Sequence, residues 1–383
     1  MRRLFIAIVL AATAVTANAA DRDRWFDRHE ARELARLTMP RVRPHLVPNL
    51  QQDGVVDTLA RPVHVPKAIV GKIVVSGAAS IRLRVDAPVW IAGENDSTFE
   101  RFEPKATMWT PTIEGSTVYI SSDSDLEVSQ LALGTATNSA TSACMLDVAC
   151  SAPADEEVAD ASRAIALIRF VRGDATYVCT GGLMKDSIDS RTPYLLTAHH
   201  CISTPEEAAS IEAVWDYRAE SCGTTITTKK TYGAQLLVSS ADTDVALLRL
   251  DRIPPNRTFL DVDLEPLADG TPTYRLSHAD GATQKYSAGV VRATGAECVS
   301  APRSRFLYDT PVSGGVSMGS SGAPLLTHGL KVAGQLLGLC GASPTDTCAI
   351  YNDVVDGSII ASWPLLAPYL DPPAQSRRRT VQH

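Results

Sequence analysis

Apolar positions in this chain come in short runs cut by Gly, Pro, Asp, Asn and Ser. Residues 69–75, 80–85, 89–92, 117–121 and 126–133 alternate or run apolar between such turn residues. That pattern predicts strands, and their spacing predicts a small antiparallel sandwich over residues 67–134. Further runs lie at 165–171, 177–184, 194–198, 212–217, 235–238, 245–250, 273–276, 289–294, 323–326 and 332–339. Long helical periodicity is absent from this second stretch. Regularly spaced strands over this span predict one large all-β unit, a sandwich or a double barrel. Residues 24–37 and 357–370 carry the amphipathic pattern of helices.

A chain of 383 residues predicts two or three domains. Composition places the boundaries. Arg2 and Arg3 precede an apolar stretch, 4–15, too short to span a bilayer, and Ala17-Asn18-Ala19 forms an A-x-A cleavage site. Residues 1–20 are thus expected to be a secretory signal peptide, and no later run approaches the roughly 20 apolar residues of a membrane span. Residues 21–66 form a charged, helix-like segment followed by a Pro-rich linker. Residues 67–143 hold the sandwich-like strands and end in a small, polar stretch, 134–143, that is easily cut. The reading is a propeptide with a processing linker, then a mature domain at 144–371 and a tail at 372–383. A permanent two-domain protein is the alternative.

All eight cysteines lie between Cys144 and Cys348. In an exported chain an even number predicts disulfides rather than metal ligands. A zinc site at His199, His200 and Cys201 fails on geometry, because adjacent strand residues point to opposite faces. No metal and no cofactor is expected. The net charge of −7 gives no reason to expect nucleic-acid binding. The expected partners are protein or peptide substrates and the chain's own propeptide. No membrane contact is expected, and the protein is expected to be a secreted monomer.

Three segments carry candidate chemistry. Thr197-Ala198-His199-His200-Cys201 follows an apolar run, Thr243-Asp244 opens another, and Gly319-Ser320-Ser321-Gly322-Ala323-Pro324 is a tight turn with a serine next to glycine. A serine hydroxyl is a poor nucleophile without an adjacent base. His200 is the candidate base, Asp244 would fix its tautomer, and Ser321 would attack. His199 and Asp242 are the neighbouring competitors. His200 is preferred because it directly precedes Cys201, where a Cys179–Cys201 bridge would hold it. The amides of Gly319 and Ser321 would form an oxyanion hole, with Gly319 free to adopt positive φ.

These segments resemble the three signatures of trypsin-like serine endopeptidases, with the order His, Asp, Ser. The bacterial secreted lysyl endopeptidase branch is the more similar one. Its pattern is visible in Cys144-Met145-Leu146-Asp147-Val148-Ala149-Cys150, Cys179-Thr180-Gly181-Gly182-Leu183, Val214-Trp215-Asp216-Tyr217, Ser277-His278, Gly334-Gln335-Leu336 and Ser362-Trp363. The resemblance spans about 144–371, and residues 67–134 look like that branch's pro-region. It implies a mainly β fold, a chymotrypsin-like double β-barrel preceded by the sandwich-like pro-region. It also implies bridges Cys150–Cys222 and Cys179–Cys201, and Cys144 with Cys340 or Cys348, the other pairing with Cys298.

Two departures bear on function. Animal trypsins activate through an aspartate just before the nucleophile, and here Ser320 stands there, so inhibition by residues 21–143 is the expected control. The trypsin specificity aspartate corresponds to Gly315, and the lysine-selective position corresponds to Val354, with Asp353 one place away. A one-residue slip on a strand turns a side chain to the other face. The candidate pocket residues are therefore Gly315, Leu337, Gly338, Asp353 and Val354, reading either Lys/Arg or a bulky apolar side chain. A secreted serine endopeptidase acting through an acyl-enzyme is the leading expectation. The alternatives are a non-catalytic adhesion or binding protein on a protease scaffold, and an esterase or amidase with the same triad.

Overall fold

The structure, a computed structural model, describes residues 45–48, 56–57, 63–65, 71–96, 99–104, 107–134, 144–151, 155–219, 228–295, 297–341, 344–349 and 351–373. The expected signal peptide, the 24–37 helix, residues 135–143 of the linker and the tail beyond 373 lie outside them.

The first half of the region 144–371 is a barrel of antiparallel strands. Ile165–Arg172 pairs with Ala175–Met184, which pairs with Tyr194–Ala198, which pairs with Val245–Leu250. Val245–Leu250 pairs with Ala234–Ser240. Lys229–Tyr232 runs into that strand through Gly233, whose φ of 79° lets the chain bend sharply. The bent strand then pairs with Glu212–Trp215, which returns to Ile165–Arg172 and closes the ring. Apolar side chains of these strands, with Phe170, Leu195, Leu247 and the fully buried Trp215, fill the interior.

The second half closes in the same manner. Pro272–Ser277 pairs with Lys285–Val291, then Phe306–Ser313, Asp353–Ser358, Lys331–Cys340 and Pro324–Thr327, which pairs back to Tyr274. Two of these strands, Phe306–Ser313 and Asp353–Ser358, are absent from the hydrophobic pattern. Pro311, Asp309, Asp353 and Asp356 interrupt them, yet each pairs on both sides within the ring. The helix Ile359–Leu370 follows, capped by Ser358, whose hydroxyl accepts from the Ala361 amide. Its Ser362 donates to Thr243 Oγ1 at 2.8 Å, tying the helix to the loop of the first barrel that carries Asp244.

The N-terminal strands form two sheets around an apolar core that includes Ile73, Leu83, Val118 and Leu126. This layer docks on the first barrel. Leu133 pairs with Ala175 as a parallel neighbour. Arg82, 1% exposed, donates to the carbonyls of Thr110 and Ser210. Burial lowers its pKa to about 10, with Glu212 opposing the shift. Glu212 is itself fully buried, accepts from the Thr112 amide and hydroxyl, and pairs with Lys230 at 3.0 Å. A desolvated carboxylate alone would be costly, and these partners offset that cost.

Candidate active site

His200 sits in the turn after Tyr194–Ala198, and Asp244 at the turn before Val245–Leu250, two strands that lie side by side. Asp244 is fully buried with φ of 55°. Its Oδ2 lies 2.7 Å from His200 Nδ1, and its Oδ1 accepts the His200 amide at 3.0 Å. Its own carbonyl accepts from the His199 amide at 2.7 Å. A carboxylate can only accept, so Nδ1 carries the proton and Nε2 is left as the acceptor. The competitors are placed elsewhere. His199 Nδ1 meets Ser239 Oγ at 2.7 Å, and Asp242 is an exposed partner of Arg305.

Cys201, the residue after His200, is bonded to Cys179. Cys179, His200 and Cys201 bring ligand-type atoms within 4.8 Å of one another. The disulfide consumes both thiolates, so the cluster is not a thiolate cage. Among the remaining cysteines, Cys144 pairs with Cys348 and Cys298 with Cys340. Cys150 is also disulfide-bonded, and its expected partner Cys222 lies outside the described residues.

The serine turn is shaped by hydrogen bonds on its carbonyls. Gly319 has φ of 86°, and a Cβ there would lie 2.6 Å from the His278 carbonyl. The carbonyl of Met318 accepts from the Asp280 amide at 2.5 Å, that of Gly319 from Thr180 Oγ1 at 2.8 Å, and that of Ser320 from Ala323 at 3.0 Å. Each peptide's N–H points opposite its C=O. The amides of Gly319 and Ser321 are consequently turned away from these partners, and neither donates a hydrogen bond among the described residues. Ser321 Oγ makes no hydrogen bond to His200 in this structure, a contact that in enzymes of this kind often tightens only when substrate binds. Ser320 is fully buried and meets Ser277 Oγ at 3.0 Å, a neutral pair where an activating ion pair would need a carboxylate.

A cavity opens at Gly315, six residues before Ser321, with walls that include Val316, Leu339 and Val354. Of the sequence candidates, Gly315 and Val354 line it. Leu337 and Gly338 do not. A register shift between Leu336 and Gly338 turns Leu337 into a separate cluster with Phe306 and Tyr308, so that Leu339 takes the wall position instead. Asp353 is held by Arg292 and Thr310.

The sequence reading missed the charges of the cavity. Arg275 and Asp309 line it, and Arg275 donates to Asp356 at 2.6 Å. Asp309 Oδ1 accepts from Thr273 Oγ1 at 2.5 Å. Its other oxygen has no hydrogen-bond partner among the described residues. Burial raises the pKa of Asp309, opposed by Arg275, and raises that of Asp356 to about 6. Both carboxylates lie on the two strands that hydropathy does not reveal.

Two closed β-barrels, with a histidine–aspartate pair on one and a glycine-flanked serine turn on the other, define the class of chymotrypsin-like serine endopeptidases. Residues 138–353 match the family model of the lysyl endopeptidase C-terminal domain, and the chain belongs to that family. It is 27% identical over 328 residues to a lysyl endopeptidase of Pseudomonas aeruginosa, covering 73% of this chain and 71% of the relative. Among solved structures, an HtrA-type protease with a tripeptide is 17% identical, with 55% of this chain and 62% of that one covered at a TM-score of 0.43. An active-form protease from M. tuberculosis is also 17% identical, with 55% and 82% covered at a TM-score of 0.39. Family membership makes the protein a hydrolase of the serine endopeptidase type, acting on protein or peptide substrates.

Proposed function

We propose that Ser321, His200 and Asp244 are the catalytic triad of a secreted endopeptidase directed to basic side chains. His200 Nε2 takes the proton of Ser321 as Oγ attacks the scissile carbonyl. Asp244 keeps the imidazole in the required tautomer and stabilises the imidazolium. The oxyanion sits on the free amides of Gly319 and Ser321, where such donors matter most. His200 then protonates the leaving amine, and water hydrolyses the acyl-enzyme by the same steps. The observation that carries this reading is the pair of hydrogen bonds that His200 donates to Asp244, set against a serine turn whose Gly319 and Ser321 amides donate no hydrogen bond among the described residues.

The proposed direction to Lys or Arg rests on the cavity floor. Asp309 lines the cavity with an oxygen to offer a substrate cation, and Asp356 engages the lining Arg275. The disulfides support export, since such bonds persist in oxidising compartments. A peptide-library digest mapped by mass spectrometry tests the specificity. Cleavage after Lys or Arg is expected, weakened by Asp309→Asn. Cleavage after bulky apolar residues would instead assign the pocket to its Val316, Leu339 and Val354 walls.

A further inference from the structure

Thr180 uses every hydrogen-bonding atom it has on the serine turn, on His278 and on the strand before His200. Its amide donates to the Ser321 carbonyl at 2.8 Å. Its hydroxyl donates to the Gly319 carbonyl at 2.8 Å and accepts from the His278 amide at 3.0 Å. Its carbonyl accepts from Thr197 Oγ1 at 2.8 Å, on the strand that leads into His200. The side chain is fully buried. The preceding residue, Cys179, is bonded to Cys201 beside the base. A Cβ at Gly322 would lie 2.7 Å from the Thr180 carbonyl, so the turn is pressed directly against this residue.

We propose that Thr180 is a positioning residue for catalysis: its hydroxyl holds the Gly319 carbonyl down so that the turn keeps its outward amides aimed at the oxyanion. The inference rests on Ser321 as nucleophile and on the Gly319 and Ser321 amides as the oxyanion hole. The physical basis is peptide planarity. The Gly319–Ser320 peptide unit rotates only as a plane, and turning it changes ψ of Gly319 and φ of Ser320, the torsions that join it to the units carrying the Gly319 and Ser321 amides. Gly319 itself offers little resistance, because glycine moves readily between backbone regions. Removing the hydroxyl leaves a buried carbonyl and the buried His278 amide without their partner, and the turn gains a reason to reorient toward other donors. Substrate affinity depends on pocket contacts that Thr180 does not make, so the effect belongs to the chemical step.

The test compares Thr180→Val, Thr180→Ser and the parent protein. Active-site titration with a fluorophosphonate gives the competent fraction, and peptide hydrolysis gives kcat and KM per competent site. Thr180→Val is expected to lower kcat about ten- to a hundredfold, less than the loss of a whole oxyanion donor, with KM within about threefold of the parent. Thr180→Ser keeps the hydroxyl and is expected to retain kcat within about threefold. A Val variant with parental kcat overturns the proposal, and so does a Ser variant as slow as the Val variant. If Thr180→Val does not fold, Thr180→Ala measured against Thr180→Ser carries the same two outcomes. Should the parent itself fail to react at Ser321, the nucleophile assignment fails. A reactive parent beside an unimpaired Val variant refutes the role of Thr180 alone.

Discussion

Asp244 grips His200 with both carboxylate oxygens, one on the ring Nδ1 at 2.7 Å and one on the backbone amide at 3.0 Å. The double contact fixes ring and main chain together, so the histidine can neither flip its ring nor shift its turn independently. Asp244 achieves this from a left-handed backbone position, φ of 55°, one that few residues other than Asn, Asp and Gly adopt readily.

Asp244→Asn tests the electrostatic part of this grip. The amide keeps the shape but supplies a donor, which favours the imidazole tautomer with its proton on Nε2. In enzymes with a Ser-His-Asp triad the same change lowers kcat about ten-thousandfold. A comparable loss is expected here, with thermal unfolding little changed. Steady-state peptide hydrolysis beside a melting curve checks it.

Gly319→Ala places a Cβ against the His278 carbonyl and forces a side chain into a backbone region with φ of 86°. Escape from that clash requires the turn to rotate, which misaims the Gly319 and Ser321 amides proposed to bind the oxyanion. A loss of kcat of about a hundredfold or more is expected, in line with the removal of an oxyanion donor, while KM moves far less. An unchanged kcat would mean that these amides do not serve the transition state.

The Cys179–Cys201 bridge has a sequence separation of 22 residues. A loop of that length constrains the unfolded chain by about 3 kcal/mol. The double variant Cys179→Ala, Cys201→Ala is therefore expected to melt several degrees lower. It should also lose activity below its melting point, because the bridge anchors the His200 turn to the strand whose Thr180 amide binds the Ser321 carbonyl.

His278 gives the stability a pH dependence. It is buried with its Nδ1 on the Ala282 carbonyl, and its Nε2 has no partner among the described residues. Burial, with help from Lys285 and Arg169, lowers its pKa to about 4 against an ordinary 6.5. Between those values the unfolded chain takes up a proton that the folded chain refuses. Stability therefore falls as pH drops from 6.5 toward 4, by roughly 3 kcal/mol from this group alone. Asp356, raised to about 6, acts in the opposite direction. Comparing denaturant unfolding of the parent and His278→Phe across this range isolates the histidine. The variant should lack the acid-side loss, and equal slopes would contradict the assignment.

Much of this architecture was legible in the sequence because strands of the first barrel bury continuous apolar runs. The segments 194–198 and 245–250 are strands with those same bounds, and they bring His200 beside Asp244. The pairing of His200 with Asp244 was readable for that reason, and the serine turn from its glycines, which mark a special backbone. The charged residues of the cavity were not legible. Asp309 and Asp356 sit on strands whose buried carboxylates erase the apolar signal, and only the pairing register shows which of their side chains face inward. The register shift at Leu336–Gly338 likewise exchanged Leu337 for Leu339 on the cavity wall. Thr180 carried no chemical signature at all, since its importance lies in four hydrogen bonds to distant segments.

Covalent labelling of the parent protein with a fluorophosphonate, followed by peptide mapping, tests the central claim most directly. The modification is expected on Ser321, with loss of peptidase activity in proportion to labelling, and is expected to vanish in a folded Ser321→Ala variant. Labelling at another serine, or undiminished hydrolysis by Ser321→Ala, would contradict the account.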